Sequence, residues 1–108
     1  MNLNITGRHV DVTPAIREYV ESKLDRVLRH YDSITSTAVT LSVEKLKQKV
    51  EVTVRARGKD IFVESEDNDL YAAVDGMIDK LDRQMQKYKQ KQNEHNYESV
   101  RHQQPEED

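Results

Sequence analysis

Lys80, Arg83, Lys87 and Lys91 recur at intervals of three and four residues in DKLDRQMQKYKQK, residues 79–91, which holds five of the chain's 17 basic residues. Cations at that interval share one face of an α-helix, where each residue advances about 100°. The chemistry open to such a row is electrostatic. Arg grips a phosphate bidentately and Lys acts on it as a point charge. Lys23, Arg26 and His30 form a second row of the same kind, with Arg29 adjoining. Aligned cations release condensed counterions when they neutralise a phosphate backbone, so RNA is the natural partner. The bland alternative is a pair of solubilising helix surfaces with weak acid–base neighbours such as Asp79 and Lys80.

Each row has an acidic counterpart. Glu18, Glu21 and Asp25 lie across the first helix from its cations, and Asp75, Asp79 and Asp82 lie across the last helix from theirs. In both helices the basic flank sits about 95–125° from the apolar centre, in the same rotational sense. If the two helices run parallel over one sheet face, this sorting predicts one continuous basic surface with the acids behind it. The net charge of −3 conceals that division. Residues 60–79 carry seven acids and no base, and residues 93–108 carry five acids against Arg101 alone. An acidic segment of that kind suits a second function class, a protein-interaction module whose 60–79 stretch or tail binds a basic partner.

Other chemistry finds little support. The chain has no cysteine, hence no disulfide framework, zinc finger or thiol nucleophile. His9, His30, His95 and His102 are scattered and lack the context of a catalytic triad or a metal site. EDNDL, residues 66–70, has carboxylates but not the glycine and spacing of a calcium loop, and reads as the acid-rich start of a helix. Gly7, Gly58 and Gly76 stand alone, so there is no phosphate-cradling loop. The expectation is a non-enzymatic protein without metal or cofactor. Tyr31, Tyr71 and Tyr88 border apolar stripes as core-edge residues, with Tyr71 also a candidate for base stacking. Phe62 falls on a polar sheet face, where a single exposed aromatic is ordinary.

The elements that position these residues follow from periodicity. At 108 residues the chain is one domain with a modest aliphatic core, since it has one Phe and no Trp. NLNIT alternates as a half-buried strand ending at Gly7. Thr13 and Pro14 suit the cap and first position of a helix carrying Ile16, Val20, Leu24, Val27 and Leu28. TAVTLSVE, VEVTVRAR and IFVESE alternate as three further strands, joined by the polar KLKQK and by a turn at Gly58. Asn68 or Asp69 caps a last helix carrying Leu70, Val74, Met77, Leu81, Met85 and Tyr88. After about residue 93 the apolar period stops. The prediction is an α+β domain, 1–93, of order β-α-β-β-β-α: a four-stranded mixed sheet with two parallel helices on one face. Residues 94–108 form a polar, acidic-ended flexible tail. MNLNITGRHV has no apolar leader segment, and no run approaches the ~18 apolar residues of a membrane span, so a soluble cytoplasmic domain is expected.

LNIT, TPAIREYV, VEK and DLYAAVDGMIDKLDRQMQKYKQK, in that element order, resemble the bacterial ribosome hibernation promoting factors and ribosome-associated inhibitors. The resemblance spans residues 1–92 and is most specific over 69–91. It implies a stress- and stationary-phase protein that binds small-subunit rRNA in the mRNA/tRNA channel and silences translation. The implied fold is similar to a double-stranded-RNA-binding domain, which reads shape and backbone. The implied RNA contacts are Lys23, Arg26 and Arg29 on the first helix and Lys80, Arg83, Lys87, Lys89 and Lys91 on the last. DNA is not an expected partner. The body resembles the factors that favour ribosome dimers with a ribosome modulation factor. The tail HNYESVRHQQPEED is closer to that of the inhibitor, which prevents dimers, and the dimerisation domain of long factors is not expected.

Overall fold

Thr13 holds the start of the first helix: its Oγ1 accepts from the Ile16 N–H at 3.2 Å, and Pro14 fills the first helical position. The computed structural model describes the backbone of residues 2–101 and the side chains of residues 2–90. Its elements are β1 (Leu3–Arg8), α1 (Pro14–Leu28), β2 (Ile34–Glu44), β3 (Lys47–Ala56), β4 (Lys59–Asp67) and α2 (Leu70–Arg101). The order is the one the periodicity predicts. The sheet runs β1-β2-β3-β4, with β1 parallel to β2 and the other pairs antiparallel. β1 and β4 are therefore the edge strands and point the same way. The helices that follow them both return in the opposite direction, and so run parallel to each other.

Alternation decides which face they cover. Val39, Leu41, Val50, Val52, Val54, Ile61 and Val63 are buried on one face, against Val20, Leu24, Val74, Met77, Leu81 and Met85 of the helices. Each such side chain contributes roughly 1.5–3 kcal/mol relative to an exposed one. The other sheet face is wet. At the start of α2, Asp69 is the cap, its Oδ2 accepting from the Ala72 N–H at 3.1 Å. Gly76 marks a tight approach: a methyl group there would sit 2.5 Å from the Ser65 hydroxyl of β4.

Several boundaries move. β2 starts at Ile34 rather than Thr37, because Ile34 packs on the core and a register shift near Ser36 absorbs the extra residue. Gly7 lies inside β1 rather than ending it. The KLKQK connection contracts to a two-residue turn at Lys45 and Leu46, since β3 already pairs from Lys47. Lys45 adopts φ 58°, a left-handed backbone held by a non-glycine residue. α2 does not stop where its apolar period stops. It is helical through Arg101, because nothing between Gly76 and Pro105 breaks it. The segment expected as a flexible tail from residue 94 is thus helical where it begins, and residues 102–108 lie outside those described. Among the described residues no helix is long and apolar enough to cross a membrane.

Candidate nucleic-acid interface

One cation of α1, Lys23, faces α2. Lys23 is half-buried, its Nζ 3.9 Å from an Asp75 carboxylate oxygen and 5.2 Å from the centre of the Tyr19 ring. Tyr19 donates its hydroxyl to the same carboxylate at 2.6 Å, and its ring meets Tyr71 edge-on at 4.8 Å. The Tyr19 phenol is raised above its ordinary pKa, first by that hydrogen bond, then by burial and by the charges of Asp75 and Asp69. Further along, burial and the nearby charge of Asp82 raise the Tyr31 phenol. The acidic flank of α2 therefore lies along the groove between the helices.

This corrects the expectation of one continuous basic surface. Two parallel helices decorated in the same rotational sense repeat their pattern side by side. The basic flank of one then meets the acidic flank of the other, and the two basic flanks are kept apart. The second basic flank faces the opposite way, over β4. There Lys80 donates to the Glu64 carbonyl at 2.8 Å and stands with Arg83 above the sheet edge.

What the fold does bring together is an end of the molecule. Tyr19 is level with Tyr71 and Asp75, and Ser33, just past α1, is bonded to Tyr88 at 2.8 Å, so the helices are in step. Asp82 is the last acid of α2 before the run Arg83, Lys87, Lys89 and Lys91. Arg26 and Arg29, at the C-terminal end of α1, share that end with Arg83, Lys87 and Lys89. All five are exposed, and none makes an ion pair within 4.0 Å among the described residues. Lys89 shares the rotational flank of Asp82 but sits about two turns beyond it, past the packed helix pair. Lys91 belongs to the helix, but its side chain lies outside those described.

Tyr88 fastens this end to the sheet. It is buried, shares a 2.8 Å hydrogen bond with the Ser33 hydroxyl and donates to the Arg57 carbonyl at 3.2 Å. That bond brings the β3–β4 turn, with exposed Arg57 and Lys59, to the same pole. The sequence reading missed both, since a cation in a turn has no helical spacing to mark it. Of the proposed contacts, Arg26, Arg29, Arg83, Lys87 and Lys89 gather at the pole. Lys80 lies beside it and Lys23 is turned inward. Tyr71 is edge-packed on Tyr19, and His9 and His30 are exposed.

Residues 3–93 match the family described as Sigma 54 modulation protein / S30EA ribosomal protein. The ribosome hibernation promoting factor of Azotobacter vinelandii is 51% identical over 92 residues, 85% of this chain and 86% of that protein. That of Escherichia coli (strain K12) is 42% identical over 95 residues, 88% of this chain and 100% of the other. A solved ribosomal subunit interface protein from Coxiella burnetii superposes with a TM-score of 0.79 at 37% identity, covering 82% of this chain and 98% of that one.

Proposed function

The chain belongs to the Sigma 54 modulation protein / S30EA ribosomal protein family, and from that premise we propose that it is a ribosome hibernation factor. It acts without catalysis, in the cytoplasm, by occupying the mRNA/tRNA channel of the small subunit and holding rRNA through phosphate contacts. The observation that carries this reading is the cationic pole, where Arg26, Arg29, Arg83 and Lys87 are exposed with no acid in pairing distance among the described residues. Exposed cations keep their hydration and rotamer freedom until they meet phosphate, and the gain on contact is the release of counterions from the RNA. Acids on the first half of α2 oppose binding in any other orientation. Affinity therefore comes from the pole and selectivity from the shape of the channel.

The test is co-sedimentation with purified small subunits across a salt series. Arg26→Glu, Arg29→Glu, Arg83→Glu and Lys87→Glu combined should abolish pelleting at physiological salt while the circular dichroism spectrum is unchanged. Replacing one of the four by alanine should weaken binding and lower the salt slope by about one. A quadruple variant that pellets like the wild type overturns the assignment.

We assign the chain to the branch that favours ribosome dimers with a ribosome modulation factor, which the similarity to the hibernation promoting factors over residues 3–93 supports. The helical continuation through Arg101 into an acidic end favours the alternative, a tailed inhibitor that blocks dimers. Sucrose-gradient profiles with the modulation factor separate them. In the first case dimers increase and removal of residues 94–108 changes little; in the second, dimers vanish until the segment is removed.

A further inference from the structure

Phe62 is the chain's one phenylalanine and is 56% exposed. In an inner strand its outward position would leave the ring alone on the wet face of the sheet. β4 is an edge strand, however, and α2 overhangs that edge. The result is an open groove of about 410 Å³, walled by Phe62, Val63 and Glu64 of β4 and by Lys80, Arg83 and Gln84 of α2.

Its chemistry is mixed in a particular way. Phe62 supplies an accessible aromatic face. Arg83 supplies a planar guanidinium, and Gln84 an amide that both donates and accepts. The Lys80 ammonium is fixed by the Glu64 carbonyl at 2.8 Å, which leaves two of its three protons for a ligand. The one acid present is already engaged: the Glu64 carboxylate lies 3.4 Å from Lys49, which also sits 3.6 Å from Glu51. The groove is thus cationic in effect, with an apolar plate at one side. A volume of this size suits a small ligand rather than a duplex.

We propose that the groove receives a single unstacked nucleotide of single-stranded RNA, its base lying on Phe62, its phosphate held by Arg83 and Lys80, and its base edge met by Gln84. Aromatic stacking of splayed-out bases, joined to nearby cations, is how proteins take up single-stranded RNA. The groove continues from the cationic pole through Arg83, so a strand anchored there can turn one base into it. This inference rests on the RNA-binding reading above and adds to it a site that duplex backbone contacts do not need.

Because position 62 is the only phenylalanine, 4-fluorophenylalanine incorporation gives one ¹⁹F signal. The full chain is titrated with a fluorescein-labelled single-stranded hexaribonucleotide, followed by anisotropy and by ¹⁹F spectra. The signal should shift along the same curve as the anisotropy, and the same strand annealed to its complement should not move it. Phe62→Ala should weaken single-strand binding about tenfold, whereas Phe62→Tyr should stay within about twofold. If the oligonucleotide binds while the ¹⁹F signal stays fixed, or Phe62→Ala binds as tightly as wild type, the groove assignment is overturned and the backbone reading stands. A shift of equal size with polyglutamate overturns it in favour of an acidic polypeptide. If the wild type binds neither the oligonucleotide nor small subunits, the RNA reading falls and the groove with it.

Discussion

A phenol that donates to a carboxylate resists ionisation, because the phenolate would lose that bond and gain a like charge. Tyr19 is placed this way, with Asp75 at 2.6 Å, Asp69 adding negative charge and the Lys23 ammonium over its ring. Its folded pKa lies above the ordinary 10, so its contribution to stability is present below about pH 10. That contribution is lost as pH rises through the higher folded value. The absorbance change on phenolate formation that disappears in Tyr19→Phe should therefore centre above pH 10 in the wild type. In Asp75→Asn it should move back down, and an unchanged midpoint would remove Asp75 as the cause. No reading of α1 alone could anticipate this pair. Tyr19 and Asp75 are 56 residues apart, and each helix shows what its own flank carries but not which flank meets its neighbour.

At the scale of the element, most of the architecture was legible. Alternation marked the four strands, Thr13 with Pro14 marked the start of α1, and Asp69 was one of two residues named for the α2 cap. Turn conformations were not legible, because they depend on how the flanking strands pair. The β2–β3 turn is such a case. Lys45 takes φ 58° at the first of its two turn residues, where glycine is favoured in hairpins. A left-handed backbone costs a residue with a Cβ about 1–2 kcal/mol. Glycine forfeits about 0.5–1 kcal/mol of that through its freer unfolded chain. Lys45→Gly should stabilise the fold by about 0.5–1 kcal/mol, a rise of a few degrees in Tm by calorimetry. A lowered Tm would mean that the Lys45 side chain stabilises the hairpin by more than its backbone costs.

For the whole molecule, the charge is sorted across both helices, where the basic flank of α1 meets the acidic flank of α2, and along α2 as well. A chain with net charge −3 carries a cationic pole because Arg83, Lys87, Lys89 and Lys91 of α2 follow one another with no acid between them, and α1 ends in Arg26 and Arg29 in step beside them. The rows were legible in the sequence, whereas their separation by Asp75 and Asp82 emerged only from packing, as did the edge groove at Phe62. Lys80, which borders both, has a consequence of another kind. Its ammonium occupies the Glu64 carbonyl on the open margin of the sheet. A free carbonyl row of that sort is what a strand from another molecule uses to add itself on. Lys80→Met keeps the length of the side chain but frees the carbonyl, and should raise concentration-dependent self-association in light scattering while a Lys87→Met control stays monodisperse. Where copies of the chain are crowded together, that latch is a safeguard against polymerisation.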